Sequence, residues 1–143
     1  MPAFNFMERF AALVESGKKR QTIRRTTKGA KVGDTAYLYT GQRTKQCQKL
    51  GEGVITDVRA VTVGREKHGK AYAIIAMQRF PENEWTRIAT GATLNALARA
   101  DGFANGAEMV AWFEDKYGLP FDGYLIQWEL KDVDNYPVSG IEF

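Results

Sequence analysis

Residues 17–25 read Gly-Lys-Lys-Arg-Gln-Thr-Ile-Arg-Arg, five cations in nine positions with a single hydroxyl among them. Such a run admits three readings. Lys18, Lys19, Arg20, Arg24 and Arg25 can form an anion-binding edge for phosphate. A lysine of the run can instead act on Thr22: a threonine hydroxyl is a weak nucleophile until a base takes its proton, and lysine is a base only when neutral. A free lysine titrates near pH ~10.4, so the site must depress that value, which neighbouring cations and partial burial both do. Arg24 or a backbone N–H would then hold a developing oxyanion. In the third reading the charges are a solvated face.

A second basic stretch, residues 41–51, carries Arg43, Lys45 and Lys49 close to Tyr37 and Tyr39. Cations interleaved with aromatics suit single-stranded nucleic acid, whose bases stack and whose phosphates pair. This assigns ligand contacts to Tyr39, Arg43 and Lys45. The remaining candidates are weaker. His68 stands alone on a charged turn, so neither a metal cluster nor a Ser-His pair is legible. Cys47 lacks a partner motif. No glycine-rich phosphate cradle is present, and nothing calls for a metal or a cofactor. Trp112, Phe113 and Trp128 sit in patterns that favour the core, while Trp85, beside Glu82 and Glu84, fits either a cleft cover or an edge.

The elements that must position these groups follow from periodicity. Phe6, Phe10, Leu13 and Val14 recur at helical spacing behind an Asn5/Glu8 capping pair, and Gly17 is a natural stop, so a helix is predicted over 6–16. Its last carbonyls would attract Lys18 and Lys19. Strands are expected at 21–24, 35–40, 54–63 and 71–77, with turns at 32–34 and 64–70. Helices follow over 93–100 and from Asn105 to the Gly118/Pro120 stop, with Met109, Phe113 and Tyr117 as an i, i+4, i+8 stripe. Tyr124, Ile126, Trp128 and Leu130 alternate in a last strand. About five strands and three short helices make one α+β domain over 1–143, with 131–143 an unassigned extension, and the β-rich middle suggests a small barrel.

Bulk properties set the partner class. The chain has 143 residues, one cysteine and a net charge of +3. Its first 49 residues hold eleven Lys/Arg against three acids, and the remainder nine against fourteen. That asymmetry points a basic face at phosphate. No apolar run approaches the ~20 residues of a membrane span, and no secretory signal is legible, so the expected compartment is the cytoplasm.

The helix ending in Gly17, the Gly-x-Lys-x-x-Thr-x-Arg run, the Val32-Gly33-Asp34-Thr35 turn and Leu38-Tyr39-Thr40-Gly41 with Arg43-Thr44-Lys45 form an ordered series. Asp101-Gly102-Phe103, Met109, Trp112-Phe113, Tyr117-Gly118 and Tyr124–Trp128 extend it. Over residues 3–130 this series resembles the ASCH domain family, in the version found in bacteria and their phages. The resemblance implies a PUA-like fold, a small β-barrel with flanking helices and a cleft beside the first helix. It also implies binding of single-stranded RNA or of a modified nucleoside. Some members are metal-independent amidohydrolases acting on N4-acylcytidine through a lysine, a threonine and a carboxylate, and single-strand ribonuclease activity also occurs in the family. By position these roles fall on Lys19, Thr22 and Asp101, the last an aspartate where the amidohydrolases have glutamate. The alternative is an RNA-binding module without catalysis. Residues 19 and 22 are an odd number apart, so one regular strand would send them to opposite faces. They meet only if Lys19 lies in the turn after Gly17.

Overall fold

A computed structural model describes residues 2–67, 69–76 and 86–131. His68, the 81–85 stretch with Trp85, and the extension beyond Lys131 lie outside the described residues. The elements run β1 (Ala3–Phe6), α1 (Glu8–Ser16), β2 (Gln21–Arg24), β3 (Thr35–Thr40), β4 (Gln48–Arg65), β5 (Ala71–Ala76), β6 (Thr86–Ala89), α2 (Gly91–Ala100), α3 (Gly106–Tyr117) and β7 (Phe121–Leu130). The architecture is mixed α+β, a seven-stranded sheet with three helices. No described helix is long and apolar enough to cross a membrane.

Strand β4 organises the sheet. Its 18 residues would extend about 60 Å if straight, against a diameter of roughly 40 Å for a compact chain of this length. It must therefore bend and change partners. Its first part pairs with β3, its middle with β7 and its end with β5, all antiparallel. Register shifts opposite Leu38/Tyr39 and between Ile55 and Asp57 leave Leu50 and Thr56 as extra residues, the bulges that bend a strand. Strand β1 adds parallel to β3, β6 antiparallel to β5, and β2 antiparallel to β7. No pairing among the described strands joins the free edges at β1, β2 and β6, so the barrel expected from sequence is not closed.

Several expectations hold and several need correction. Strands β2 and β3 have the predicted bounds, and Ala36 and Leu38 point into the core while Tyr37 and Tyr39 are half-buried. Asn105 caps α3 as expected, its side chain accepting from the Glu108 N–H; Glu108 reaches back to the Ala104 N–H at 2.9 Å. Asn5, by contrast, does not cap α1. The N-cap is Met7, without a side-chain bond, because pairing with β3 draws residues 3–6 into a strand. The Asn5 carboxamide instead accepts from the Gln42 N–H at 2.9 Å. The 41–51 stretch is a loop only as far as Cys47, and residues 64 and 65 belong to β4 rather than to the following turn. The four-residue strands β1 and β6 lie outside the expected elements, apart from Phe6, which the helical spacing had assigned to the first helix. In β7 the alternation changes phase: Phe121, Gly123 and Leu125 face inward, then Ile126 and Trp128, which leaves Tyr124 exposed. The change sits beside the Thr56 bulge on β4, which shifts the facing register.

The core runs from Phe4, Val14 and Leu38 through Ile55, Val63 and Ile126 to Met109, Val110 and Phe113. Trp128 is nearly fully buried against Phe6, at 5.9 Å between ring centroids. Gly53 makes room for it, since a Cβ there would stand 2.6 Å from the indole.

Candidate functional site

Helix α1 ends at Gly17, whose φ of 84° is the left-handed conformation glycine adopts without strain. Its N–H donates to the Val14 carbonyl, and the Lys19 N–H donates to the Leu13 carbonyl at 2.9 Å. Lys19 thus lies in the turn before β2, outside strand alternation, and its side chain folds inward until only 3% of the residue is exposed.

Its partner is Asp101, 4% exposed, the C-cap of α2. Lys19 Nζ donates to the Asp101 carbonyl at 2.5 Å and lies 3.3 Å from Asp101 Oδ1. The ammonium therefore meets both a carboxylate and the carbonyl end of a helix, two negative environments. Phe6 and Phe10 complete the enclosure, with ring centroids 5.7 and 4.9 Å from Nζ. Gly102 lets the chain close over the pair: at φ 97° a Cβ would sit 2.8 Å from the Phe10 ring and 3.3 Å from Lys19 Cδ. The aspartate, one methylene shorter than glutamate, reaches the lysine.

Burial pushes the Lys19 ammonium below the ordinary lysine range; the charge of Asp101 opposes this without overcoming it, while Arg24 and Arg9 add to the depression. Burial likewise pushes the Asp101 carboxyl up, against the pull of Lys19, Gln21 and Arg24. Both partners lean toward their neutral forms, and the pair shares one proton.

Thr22 is on β2, buried, and its Oγ1 accepts from Arg24 Nε at 2.9 Å. The hydroxyl proton is thereby left to point at something else. Arg24 also donates to the Asn5 carbonyl at 2.8 Å and lies over Phe4 and Phe6, at 5.4 and 4.9 Å from their ring centroids. Burial lowers its pKa, opposed by Asp101 and Tyr117.

Thr22, Arg24 and Asp101 line one cavity of about 110 Å³. Phe6, Phe103, Trp112 and Tyr117 supply aromatic walls, and Asn5, Met7, Ile23 and Lys116 are also part of the lining. Lys19 stands behind Asp101 and reaches the cavity through it. Of the three residues expected to act together, Thr22 and Asp101 thus line one space and Lys19 does not, and no hydrogen bond joins Lys19 to Thr22. Arg25 stands over the Tyr117 ring at 5.2 Å, at the rim.

The other expected contacts separate from this group. Lys18 and Arg20 line a different hollow of about 310 Å³ with Thr56, Gln127 and Glu129. Tyr39 is half-buried on β3; Arg43, at φ 67°, and Lys45 are exposed on the 41–47 loop. None of these three lines the cavity. The hollow beside their loop, about 710 Å³, is lined by Thr40, Gly41, Gln46 and Gln48 and shares the Asn5-Phe6-Met7 wall with the cavity. The two spaces are therefore neighbours.

Sequence reasoning missed Phe103, Lys116 and Tyr117 as site residues and assigned Trp112 to the core. Trp112 is half-buried with Lys116 Nζ 5.0 Å from its ring centroid. The i, i+4 spacing of 112 and 116 puts them on one face of α3 and was the available signal. Among the described residues no group of three or more His, Cys, Asp or Glu could hold a metal ion.

Comparison with protein-family models, with curated proteins and with solved structures gave no match in any of the three.

Proposed function

We propose that the protein recognises a nucleobase, as a modified nucleoside or as one residue of single-stranded RNA, in the cavity beside β2. The observation that carries this reading is the gathering of Thr22, Arg24 and Asp101 between aromatic rings. Aromatic faces stack bases, and polar groups at the floor read their edges. At about 110 Å³ the cavity falls below the ~300–1,000 Å³ of sites that take a whole drug-sized ligand. It suits one planar ring or an acyl group, with the rest of the ligand lying over the Asn5-Phe6-Met7 wall toward the 41–47 loop. There Arg43 and Lys45 are available for phosphates. In this reading the open, bent sheet is a PUA-like fold and the chain is an ASCH domain.

A second reading, metal-independent hydrolysis, is favoured by the Lys19–Asp101 pair, which burial drives toward a neutral amine able to accept a proton. In deacylation of an N4-acylcytidine, the Thr22 hydroxyl adds to the acyl carbonyl and the C–N bond breaks. The hydroxyl proton passes through the pair to the departing exocyclic nitrogen, and water then hydrolyses the threonine ester. Arg24, which is bonded to the Thr22 hydroxyl and whose Nη1 has no hydrogen bond among the described residues, is the cation that would meet that developing charge.

The test is incubation of N4-acetylcytidine and of a short single-stranded RNA with the wild type and Thr22→Val, in excess chelator, followed by mass spectrometry and by binding isotherms. Binding without turnover supports the recognition reading alone. Deacylation or scission by the wild type but not by Thr22→Val establishes the hydrolase. Neither binding nor turnover removes both readings.

A further inference from the structure

Gln21 is as deeply buried as Lys19, at 3% exposed, yet its amide makes no contact with the cavity. Its Nε2 donates to Asp101 Oδ1 at 3.3 Å and to the Leu97 carbonyl at 3.5 Å, and its Oε1 accepts from Gln127 Nε2 at 3.2 Å. Both ends of this amide are engaged, and the pattern fixes which end is which. The Leu97 carbonyl can only accept, so the NH2 must face α2 and the carbonyl oxygen is left to face Gln127.

We propose that Gln21 is a positioning residue that, locked by Gln127, commits Asp101 Oδ1 to the protein and leaves Oδ2 as the oxygen offered to the ligand. Oδ1 accepts from Gln21 Nε2 and lies 3.3 Å from the Lys19 ammonium. Oδ2 has no hydrogen bond among the described residues. Trp128 Nε1 is the one buried side-chain polar atom there without a partner. Oδ2, which lacks a partner too, is then not sealed from accessible space, and Asp101 lines the cavity. Because Oδ1 is surrounded by donors, a proton on this carboxyl resides on Oδ2. The ligand thus meets either a carboxylate oxygen that accepts an amino or imino N–H, or an acid O–H that donates to a carbonyl. Gln21 biases the balance between the two, since its bond favours the charged form.

The charged groups facing Asp101 are Lys19, in the turn before β2, and Arg24 on β2; Arg9 of α1 acts on Lys19, and Tyr117 of α3 acts on Arg24. The neutral Gln21–Gln127 pair completes the surroundings, from β2 and β7. The use of Oδ2 by a ligand rests on the nucleobase reading; the geometry of the amide lock does not.

The experiment is an NMR pH titration of the Asp101 carboxyl carbon in protein labelled with ¹³C at aspartate, comparing wild type, Gln21→Leu, Gln21→Glu and Gln127→Leu. Loss of the donor in Gln21→Leu raises the Asp101 midpoint by about one to two pH units, the equivalent of one charge-assisted hydrogen bond. Gln21→Glu raises it further, because a second carboxylate then faces Oδ1. Gln127→Leu gives a smaller rise in the same direction, and it carries the test if Gln21→Leu does not fold. Midpoints that coincide with the wild type in the folded variants overturn the proposal. N4-acetylcytidine affinity measured across the same pH range should follow the shifted midpoints. If the midpoints move while the nucleoside binds none of the proteins, the role of Gln21 stands and the nucleobase reading falls.

Discussion

Replacing Lys19 by methionine keeps roughly the side-chain volume and removes the charge, leaving Asp101 with Gln21 and Arg24 as its remaining partners. In the wild type the unfolded pair holds one proton between pH ~5 and ~9, since free aspartate titrates near ~3.9 and lysine near ~10.4. The folded pair also holds one, whichever partner carries it, so its contribution to stability is flat across that window. In Lys19→Met the carboxyl has lost its nearest cation, and burial raises its folded-state pKa above the unfolded value. Such a group contributes stability that is present below the unfolded pKa and lost as pH rises through the folded one. Protonating it costs about 1.36 kcal/mol per pH unit above ~3.9, hence about 4 kcal/mol at pH 7 and about 1.5 kcal/mol at pH 5. The first figure is a ceiling, and it agrees with the ~3–5 kcal/mol typical of breaking a buried pair. For a chain of 143 residues the unfolding entropy is about 0.3 kcal/mol/K, so Tm should fall by about 13 °C at pH 7 and about 5 °C at pH 5. Thermal unfolding followed by circular dichroism at pH 5, 6, 7 and 8 reads this directly. A deficit equal at pH 5 and pH 8 would refute the reasoning, because a buried carboxylate without its ammonium partner cannot be indifferent to its own protonation.

Two further outcomes are expected. Gly102→Ala puts a side chain at φ 97° and a Cβ 2.8 Å from the Phe10 ring, so urea denaturation should show a loss of about 2–3 kcal/mol; a loss near zero would mean that the turn does not hold its conformation over Lys19. Arg43→Ala and Lys45→Ala should each make the salt dependence of single-stranded RNA affinity shallower by about 0.7 in log–log slope, read by fluorescence anisotropy of a labelled RNA at several ionic strengths. An unchanged slope would remove the 41–47 loop from the proposed interface.

The elements beside the site are largely legible in the sequence because local chemistry sets them. Gly17 ends α1, Asn105 opens α3, and the apolar alternation of Ala36 and Leu38 declares β3. Each is a short-range effect of backbone conformation, capping or periodicity, carried within a few residues. Asn5 shows where local reasoning fails: its side chain is a competent cap, but parallel pairing with a strand more than thirty residues away won the segment. The phase change in β7 has the same origin, since the Thr56 bulge that accompanies it lies on another strand.

The site divides along the same line. Residue types and their order are enough to place the cations and Thr22 in residues 17–25, to give Lys19 a turn after Gly17, and to put Gly102 after Asp101. Tertiary packing was needed to bury Lys19 against Asp101, 82 positions away, to bring Thr22 and Asp101 to a shared cavity, and to turn Lys18 and Arg20 away from it. It alone made Trp112, Lys116 and Tyr117 part of the walls. A sequence specifies which groups can ionise and which turns can form; how far an ionisable group loses water, and beside what, depends on the end of α2 meeting the turn after α1, and that loss of water sets the chemistry.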